Sequence, residues 1–408
     1  MLLNWPIYGQ TGGAERIVCE FSAALLAQGH SVTVVSGDKS QGFPIYSLDP
    51  RVKLIYFGDI PIPRFIKYLK SIFTWSIRKK ERKVLRRFMK LELKSFQLKK
   101  AIQSLESDLI ISYEPESTYI YFRAFNSLTP VITMFHSSPE FLISKILGAY
   151  YADHLNKFPS LDYYKVRRWF DIYIAQLRKS SVIQVLMPEF IKTIENLIPN
   201  IEIICIRNPV NQAKKMSNLN AHTIINIARV VPVKRQILIV EAFNLIKDRF
   251  PDWKIEIWGQ TDADKSYTAN LQSTIDKYGL ENRIKLCGVT SNIDKKLDNS
   301  SILIMTSSVE GFCLGMVESM TKGLPVIGCN SCTAINTIIR DGENGFLCED
   351  SPESIAKALE RLMKSKTLRI KLGRQGHKDA KAYDPPIIWT QWNQLISKTI
   401  NNNDLYDI

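Results

Sequence analysis

The stretch LLNWPIYGQTGGAERIVCEFSAALLAQGHSVTVVSGD, residues 2–38, changes its apolar period twice. LLNWPIY has the short, mostly apolar run of a buried strand, and Gly12-Gly13 marks a turn. Ile17, Val18, Phe21, Ala24 and Leu25 then recur at helical spacing, Gly29 ends the helix, and SVTVVSGD returns to a buried strand. Strand, helix and strand in this order form a βαβ unit. Its two strands run parallel, which requires a sheet covered by helices.

The same alternation continues outward. DLIISY, PVITMF, SVIQVLM and IEIICI are strand-like runs separated by helix-compatible segments. After the polar stretch IRNPVNQAKKMSNLN it restarts with TIINIAR, a helix through ILIVEAFNLIKDRF, WKIEIWG, a helix near 265–279, RIKLCGV, SILIMTS, a helix after Glu310, and PVIGCN. A chain of 408 residues exceeds what one core usually supports. The expected organisation is therefore two α/β domains, 1–212 and 213–382, and a final segment, 383–408. In that segment Pro385-Pro386 would turn the chain before the helix IIWTQWNQLISKTI, returning it to the first domain.

Composition narrows the class. Apolar residues make up 45% and charged residues 23%, as in a globular protein. No apolar run of about 18 or more residues spans a bilayer. The first residues lack the basic start and cleavage site of a signal peptide, so a cytoplasmic location is the default expectation. Seven cysteines, mostly within apolar runs, read as reduced thiols, and Cys329 and Cys332 lack the second pair a zinc site would need. The net charge of +14 is concentrated: residues 64–100 carry fourteen Lys or Arg against Glu81 and Glu92. With apolar residues at helical spacing, this segment reads either as a solvated helix face or as a contact for an anionic membrane surface. No nucleic-acid-binding motif accompanies the charge.

Two segments carry chemistry. Glu310 follows the strand SILIMTS at its carboxyl end, where open α/β sheets bind ligands. Gly311-Phe312 opens a helix whose first free N–H groups, from Cys313 and Leu314 onward, form an anion site. Glu318 lies within that helix among apolar residues and needs a partner. One candidate is Lys322 at i+4, and the other is a vicinal diol that hydrogen-bonds the carboxylate. Arg229 and Lys234 follow the strand TIINIAR in a short loop, and two fixed cations there suit a diphosphate. Asp262-Ala-Asp264 is a D-x-D, but it begins a helix, where acids meet the helix dipole favourably. No G-x-G-x-x-G opens either half, which disfavours a dinucleotide dehydrogenase.

In this order and spacing the motifs resemble those of the retaining GT-B glycosyltransferases of glycosyltransferase family 4. The resemblance rests on Gly12-Gly13-Ala-Glu-Arg16, Asn208-Pro209-Val210, the Arg229/Lys234 spacing, and the E-x7-E of Glu310 and Glu318. Gly323-Leu-Pro-Val326 and Asp341-Gly-Glu-Asn-Gly345 complete it. It implies two Rossmann-like, doubly wound domains facing each other across a cleft. It implies that Glu310 contacts the donor sugar, that Glu318 binds ribose, and that Arg229 and Lys234 hold the diphosphate with amides of the Gly311, Phe312, Cys313 and Leu314 turn. Gly12 and Gly13 would admit the phosphates, and His136 would face the sugar from the acceptor side. The implied reaction moves a hexose or N-acetylhexosamine from a UDP-linked donor to a glycan or lipid-linked acceptor of bacterial surface polysaccharide, with no cofactor and no metal. Two alternatives share the fold: a nucleotide-sugar 2-epimerase, and a non-catalytic sugar-nucleotide-binding subunit. The sequence departs from the family where Gly-Phe-Gly becomes Gly311-Phe312-Cys313 and a G-x-G becomes Trp258-Gly259-Gln260.

Overall fold

The computed structural model describes residues 1–7, 12–37, 46–58, 79–102, 106–147 and 161–404. The chain divides into two compact units, Met1–Arg207 together with the residues from Trp389 onward, and Asn208–Ile388. The division thus falls a few residues ahead of position 212, just before Asn208-Pro209.

The first unit is built from β1 (Leu2–Leu3), α1 (Gly13–Ala27), β2 (Thr33–Ser36), β3 (Lys53–Tyr56), α2 (Lys79–Ala101), β4 (Ile110–Tyr113), α3 (Pro115–Ala124), β5 (Val131–Phe135), α4 (Pro139–Leu147), α5 (Leu161–Leu177), β6 (Val182–Val185), α6 (Glu189–Leu197) and β7 (Ile203–Cys205). Its seven strands form a parallel sheet in the order β3-β2-β1-β4-β5-β6-β7. Of the expected strand LLNWPIY, Leu2 and Leu3 alone among the described residues lie in the sheet. Pro6 has no N–H to give a ladder and restricts Trp5 before it. The Trp5 carbonyl instead accepts from Ser36 Oγ at 2.8 Å, and the Asn4 carbonyl accepts from the buried Lys94 ammonium.

Residues 64–78 of the basic stretch lie outside the described residues, and Lys79–Ala101 form α2. That helix buries Val84, Leu85, Phe88, Leu91 and Leu98 and exposes Lys83, Arg86, Lys90, Lys99 and Lys100. Two of its cations serve the interior: Lys94 as above, and Arg87, whose Nε donates to Glu116 Oε1 at 2.8 Å. No helix among the described residues is long and apolar enough to cross a membrane.

The second unit runs β8 (Thr223–Ile227), α7 (Gln236–Asn244), β9 (Lys254–Trp258), α8 (Lys265–Lys277), β10 (Ile284–Gly288), α9 (Ile293–Asp298), β11 (Ile302–Met305), α10 (Leu314–Thr321), β12 (Val326–Cys329), α11 (Thr333–Ile338), β13 (Gly345–Cys348), α12 (Pro352–Lys364) and α13 (Lys366–Ala380). Six parallel strands lie in the order β10-β9-β8-β11-β12-β13. Ile224, Ile255, Ile257, Ile302, Ile304, Ile327 and Phe346, drawn from five of the strands, form one buried core with Phe243, Leu271 and Leu359 of the helices. Burial on both faces is why these strands read as continuous apolar runs. The last helix, α14 (Pro385–Asp404), takes Pro385 and Pro386 into its first turn, where a missing N–H costs nothing. From Trp389 onward its residues group with the first unit, where Trp389 and Trp392 pack on Phe21 at 5.3 and 4.6 Å between ring centres.

Candidate active site

In each sheet the strand order reverses once, between β1 and β4 in the first unit and between β8 and β11 in the second. A doubly wound sheet binds ligands just beyond the carboxyl ends of the strands at such a reversal. The candidate residues are the ones that follow those ends.

In the second unit, Lys234 closes a single 3-10 turn after β8, and Glu310 follows β11. Lys234 Nζ donates to Glu310 Oε1 at 2.6 Å, and Ser307 Oγ donates to the same oxygen at 2.6 Å. Both partners of the pair are 13% exposed, so the contact sits in a half-dry pocket where charge-assisted bonds are strong. Residues 76 positions apart in sequence meet because β8 and β11 are neighbours.

The loop bearing Lys234 is fastened by its backbone. Thr306 Oγ1 donates to the Lys234 carbonyl at 2.8 Å, and Ser308 N donates to the Val233 carbonyl at 2.9 Å. Arg235, in the left-handed region at φ 49, sends Nε to the Thr306 carbonyl at 2.7 Å and Nη2 to the Ser307 carbonyl at 3.3 Å. Its Nη1 and Nη2 reach both oxygens of Asp350 at 2.5 and 3.1 Å, and Nη2 also reaches Ser331 Oγ at 3.2 Å. Burial raises the Asp350 pKa, but the bonds from Arg235 and Ser331 outweigh it and hold the carboxyl below its usual value. Arg229 stands exposed at the same edge, its carbonyl accepting from Gln236 Nε2 at 2.9 Å. Beside it, Trp258-Gly259-Gln260 bonds to both ends of the Ala228–Val230 turn, Ala228 N to the Trp258 carbonyl and Val230 N to the Gln260 carbonyl, each at 2.9 Å. A Cβ on Gly259 would lie 2.1 Å from the Ala228 carbonyl oxygen.

The helix after Glu310 begins at Leu314, with Cys313 as its N-cap residue and no side-chain cap. Its first amides therefore remain available to an anion. Phe312 is buried edge-on against Tyr383 at 5.2 Å, which holds the turn down. Cys313 takes φ 68 and ψ 56, a backbone that glycine adopts without strain, and this is the physical content of the departure from Gly-Phe-Gly. Its thiol is pushed well above the usual range, first by burial and then by the Glu310 carboxylate, so it stays protonated despite its place at a helix N-terminus. Gly315 would bring a Cβ within 3.3 Å of Ile227 Cβ, so α10 rides directly on the end of β8.

Glu318 is half-buried, one turn beyond Leu314 on the same face of α10. The ammonium of Lys322 reaches Asp294 Oδ1 at 2.7 Å and Asp298 Oδ1 at 3.0 Å, so it is these acids on α9 that neutralise it. Asp264 accepts from Tyr267 N at 2.9 Å as the N-cap of α8, which gives the second acid of the D-x-D a structural task.

In the first unit, Gly12 is the N-cap of α1 at φ −82 and Gly13 is its first residue, so the pair starts the helix and forms no left-handed turn. A Cβ on Gly12 would meet Glu15 Oε2 at 2.3 Å. His136 follows β5 and stacks on Tyr113 at 4.7 Å, with Trp5 edge-on to Tyr113 at 6.5 Å. Its Nε2 is buried with no hydrogen-bond partner among the described residues. Burial lowers its pKa to about 3, so the imidazole is neutral at physiological pH. Beside it, Glu114 holds φ 65 and ψ 144 and accepts from Ser137 Oγ at 2.8 Å. A non-glycine residue in that region marks backbone strain of the kind that collects at functional sites. Glu114, Ser307 and Arg235 went unread in the sequence: Glu114 and Arg235 act through Ser137 and Asp350, distant along the chain, and Ser307, though only three residues from Glu310, belongs to no local motif.

Two parallel, doubly wound units, with paired acid and cation at the reversal of the second sheet, define a GT-B glycosyltransferase architecture. The model for glycosyl transferases group 1 matches residues 208–379 and that for Glycosyltransferase Family 4 matches residues 11–214. The chain belongs to this family of glycosyltransferases. It is 25% identical to an exopolysaccharide phosphotransferase of Streptomyces coelicolor over 99% of this chain and 41% of that protein. It is 29% identical to the poly(glycerol-phosphate) alpha-glucosyltransferase of Bacillus subtilis over 43% of this chain and 26% of that one. The chain thus spans less than half the length of both relatives. Among solved structures, sucrose-phosphate synthase of Thermosynechococcus elongatus superposes with a TM-score of 0.76 at 16% identity, covering 98% of each chain. The HepE protein of Anabaena in complex with UDP gives 0.69 at 15%, covering 97% and 99%.

Proposed function

We propose that the chain transfers a hexose or N-acetylhexosamine from a UDP-linked donor, with retention, to a glycan or lipid-linked acceptor in the synthesis of bacterial surface polysaccharide. The observation that carries this reading is the Lys234–Glu310 contact of 2.6 Å beside the uncapped start of α10. An ammonium has three N–H donors, and one contact to Glu310 leaves donors for phosphate oxygens. Glu310 then addresses hydroxyls of the donor sugar and Glu318 those of the ribose.

As the sugar–phosphate bond breaks, negative charge grows on the departing diphosphate. Lys234, Arg229 and the first amides of α10 stabilise it more in the transition state than in the substrate, without a metal. The acceptor oxygen forms its bond to the anomeric carbon on the face the diphosphate leaves, and its proton passes to a phosphate oxygen of the donor. In the first unit the neutral His136 offers a hydrogen bond that suits a sugar hydroxyl without adding charge. The name of the Bacillus relative, an alpha-glucosyltransferase of a phosphate-rich polymer, and the UDP held by the Anabaena structure support donor and acceptor class.

Isothermal titration with UDP tests the donor site. Lys234→Ala should weaken UDP roughly 10- to 100-fold, the worth of a charge-assisted bond, and Glu318→Ala about tenfold. Glu310→Ala should spare UDP while slowing transfer from UDP-hexoses. Parent-like UDP affinity in both Lys234→Ala and Glu318→Ala would defeat the proposal. A changed sugar after incubation with donor alone would move the assignment to an epimerase.

A further inference from the structure

The Lys234–Glu310 contact depends on two loops that start from different strands, and one side chain bridges both of them to two more. The guanidinium of Arg235 bonds the carbonyls of Thr306 and Ser307 after β11, Ser331 Oγ after β12, and the Asp350 carboxylate after β13, while its own backbone belongs to the loop after β8. Ser331 Oγ closes the network with a bond to Asp350 Oδ1 at 2.9 Å. Thr306 returns the tie, its Oγ1 donating to the carbonyls of Lys234 and Arg235 at 2.8 and 3.1 Å.

We propose that Arg235 is a positioning residue: with Asp350 it fastens the carboxyl ends of four strands and thereby sets the distance between Lys234 and Glu310 in the donor site. The proposal rests on the reading that Lys234 holds the donor phosphates. A rigid planar fork with five donors suits the task, because it fixes several acceptors at set angles, whereas an ammonium on a flexible stem does not. The backbone supports the same conclusion. Position 235 is left-handed, a conformation glycine would adopt without strain, yet a glycine there would supply none of these bonds. The guanidinium acts through its neighbours, and each of its three nitrogens is bonded to a protein acceptor.

A double-mutant cycle read by UDP titration tests this, with the melting midpoint of each unliganded variant as a control. Arg235→Gly, which keeps the left-handed backbone, and Arg235→Lys, which keeps the charge, should each weaken UDP about tenfold, in the range of coupling between contacting residues. Asp350→Asn should shift affinity in the same direction by a smaller factor. In the Lys234→Ala background the Arg235→Gly change should cost less than twofold, since the residue through which it acts is gone. Full additivity overturns the proposal, as does parent-like affinity in Arg235→Lys, which would reduce the role to charge. If the Arg235 variants do not fold, Asp350→Asn decides: unchanged UDP affinity overturns the proposal. Parent-like affinity in Lys234→Ala defeats the reading that Lys234 holds the donor phosphates and this proposal with it, whereas failure of the Arg235 effects alone leaves the donor site standing.

Discussion

Glu310 accepts from an ammonium and a hydroxyl at one oxygen, 2.6 Å from each, and this convergence could only be half read from the chain. The acid and the cation were legible because each follows an apolar strand and precedes a helix. Ser307 was not, since a serine at a strand end has no distinguishing pattern. His136 offers a test at the same scale. Its folded pKa of about 3 lies below the ordinary 6.5, so at intermediate pH the unfolded chain binds a proton that the folded one refuses. This contribution to stability is complete above about pH 6.5 and is lost as pH falls from there towards 3. His136→Asn should flatten that part of the acid-side decline in melting midpoint, and an unchanged pH profile would show that the imidazole is not held neutral by burial.

Among the elements, strands were easier to place than helix ends. SILIMTS and PVIGCN became β11 and β12 with little change, because burial on both faces forces a continuous apolar run. The helix expected through Phe250 stops at Asn244 and gives way to a 3-10 turn at Lys247–Arg249. There Arg283 holds the carbonyls of Phe250 and Trp253 at 2.6 and 2.5 Å, a tertiary contact that no local propensity encodes. The strand β13 was read only as part of a glycine-rich motif. Gly345 starts it because a Cβ would lie 2.3 Å from the Val326 carbonyl of β12. Gly259 has the same kind of role beside the site, with φ 147 and no room for a side chain against Ala228. Gly259→Ala should cost about 2 kcal/mol or more by backbone strain and displacement. In a unit of this size the melting midpoint would fall by roughly 4–8 °C. UDP binding should weaken as the Arg229 turn shifts. A variant with the parent's melting midpoint would mean the turn yields freely.

At the scale of the molecule, charge is the property with the most unassigned content. Among the cations that α2 leaves exposed, Lys83, Arg86 and Lys90 share a stripe at helical spacing, and we propose that it meets an anionic membrane surface carrying a lipid-linked acceptor. Replacing the three by Gln should reduce binding to phosphatidylglycerol vesicles by about 1 kcal/mol per charge removed, with no effect on binding to neutral vesicles. Equal binding of both chains to the anionic vesicles would remove the membrane from the proposal. The sequence by itself determined that there are two parallel α/β sheets, which loops follow their strands, and which charged residues those loops carry, because strand burial and helix periodicity are local properties of the chain. Only the tertiary structure decided that Lys234 meets Glu310, that Lys322 goes to Asp294 and Asp298, and that Arg235 ties four strand ends together. Those pairings depend on which strands become neighbours, and strand order is settled by packing the whole sheet.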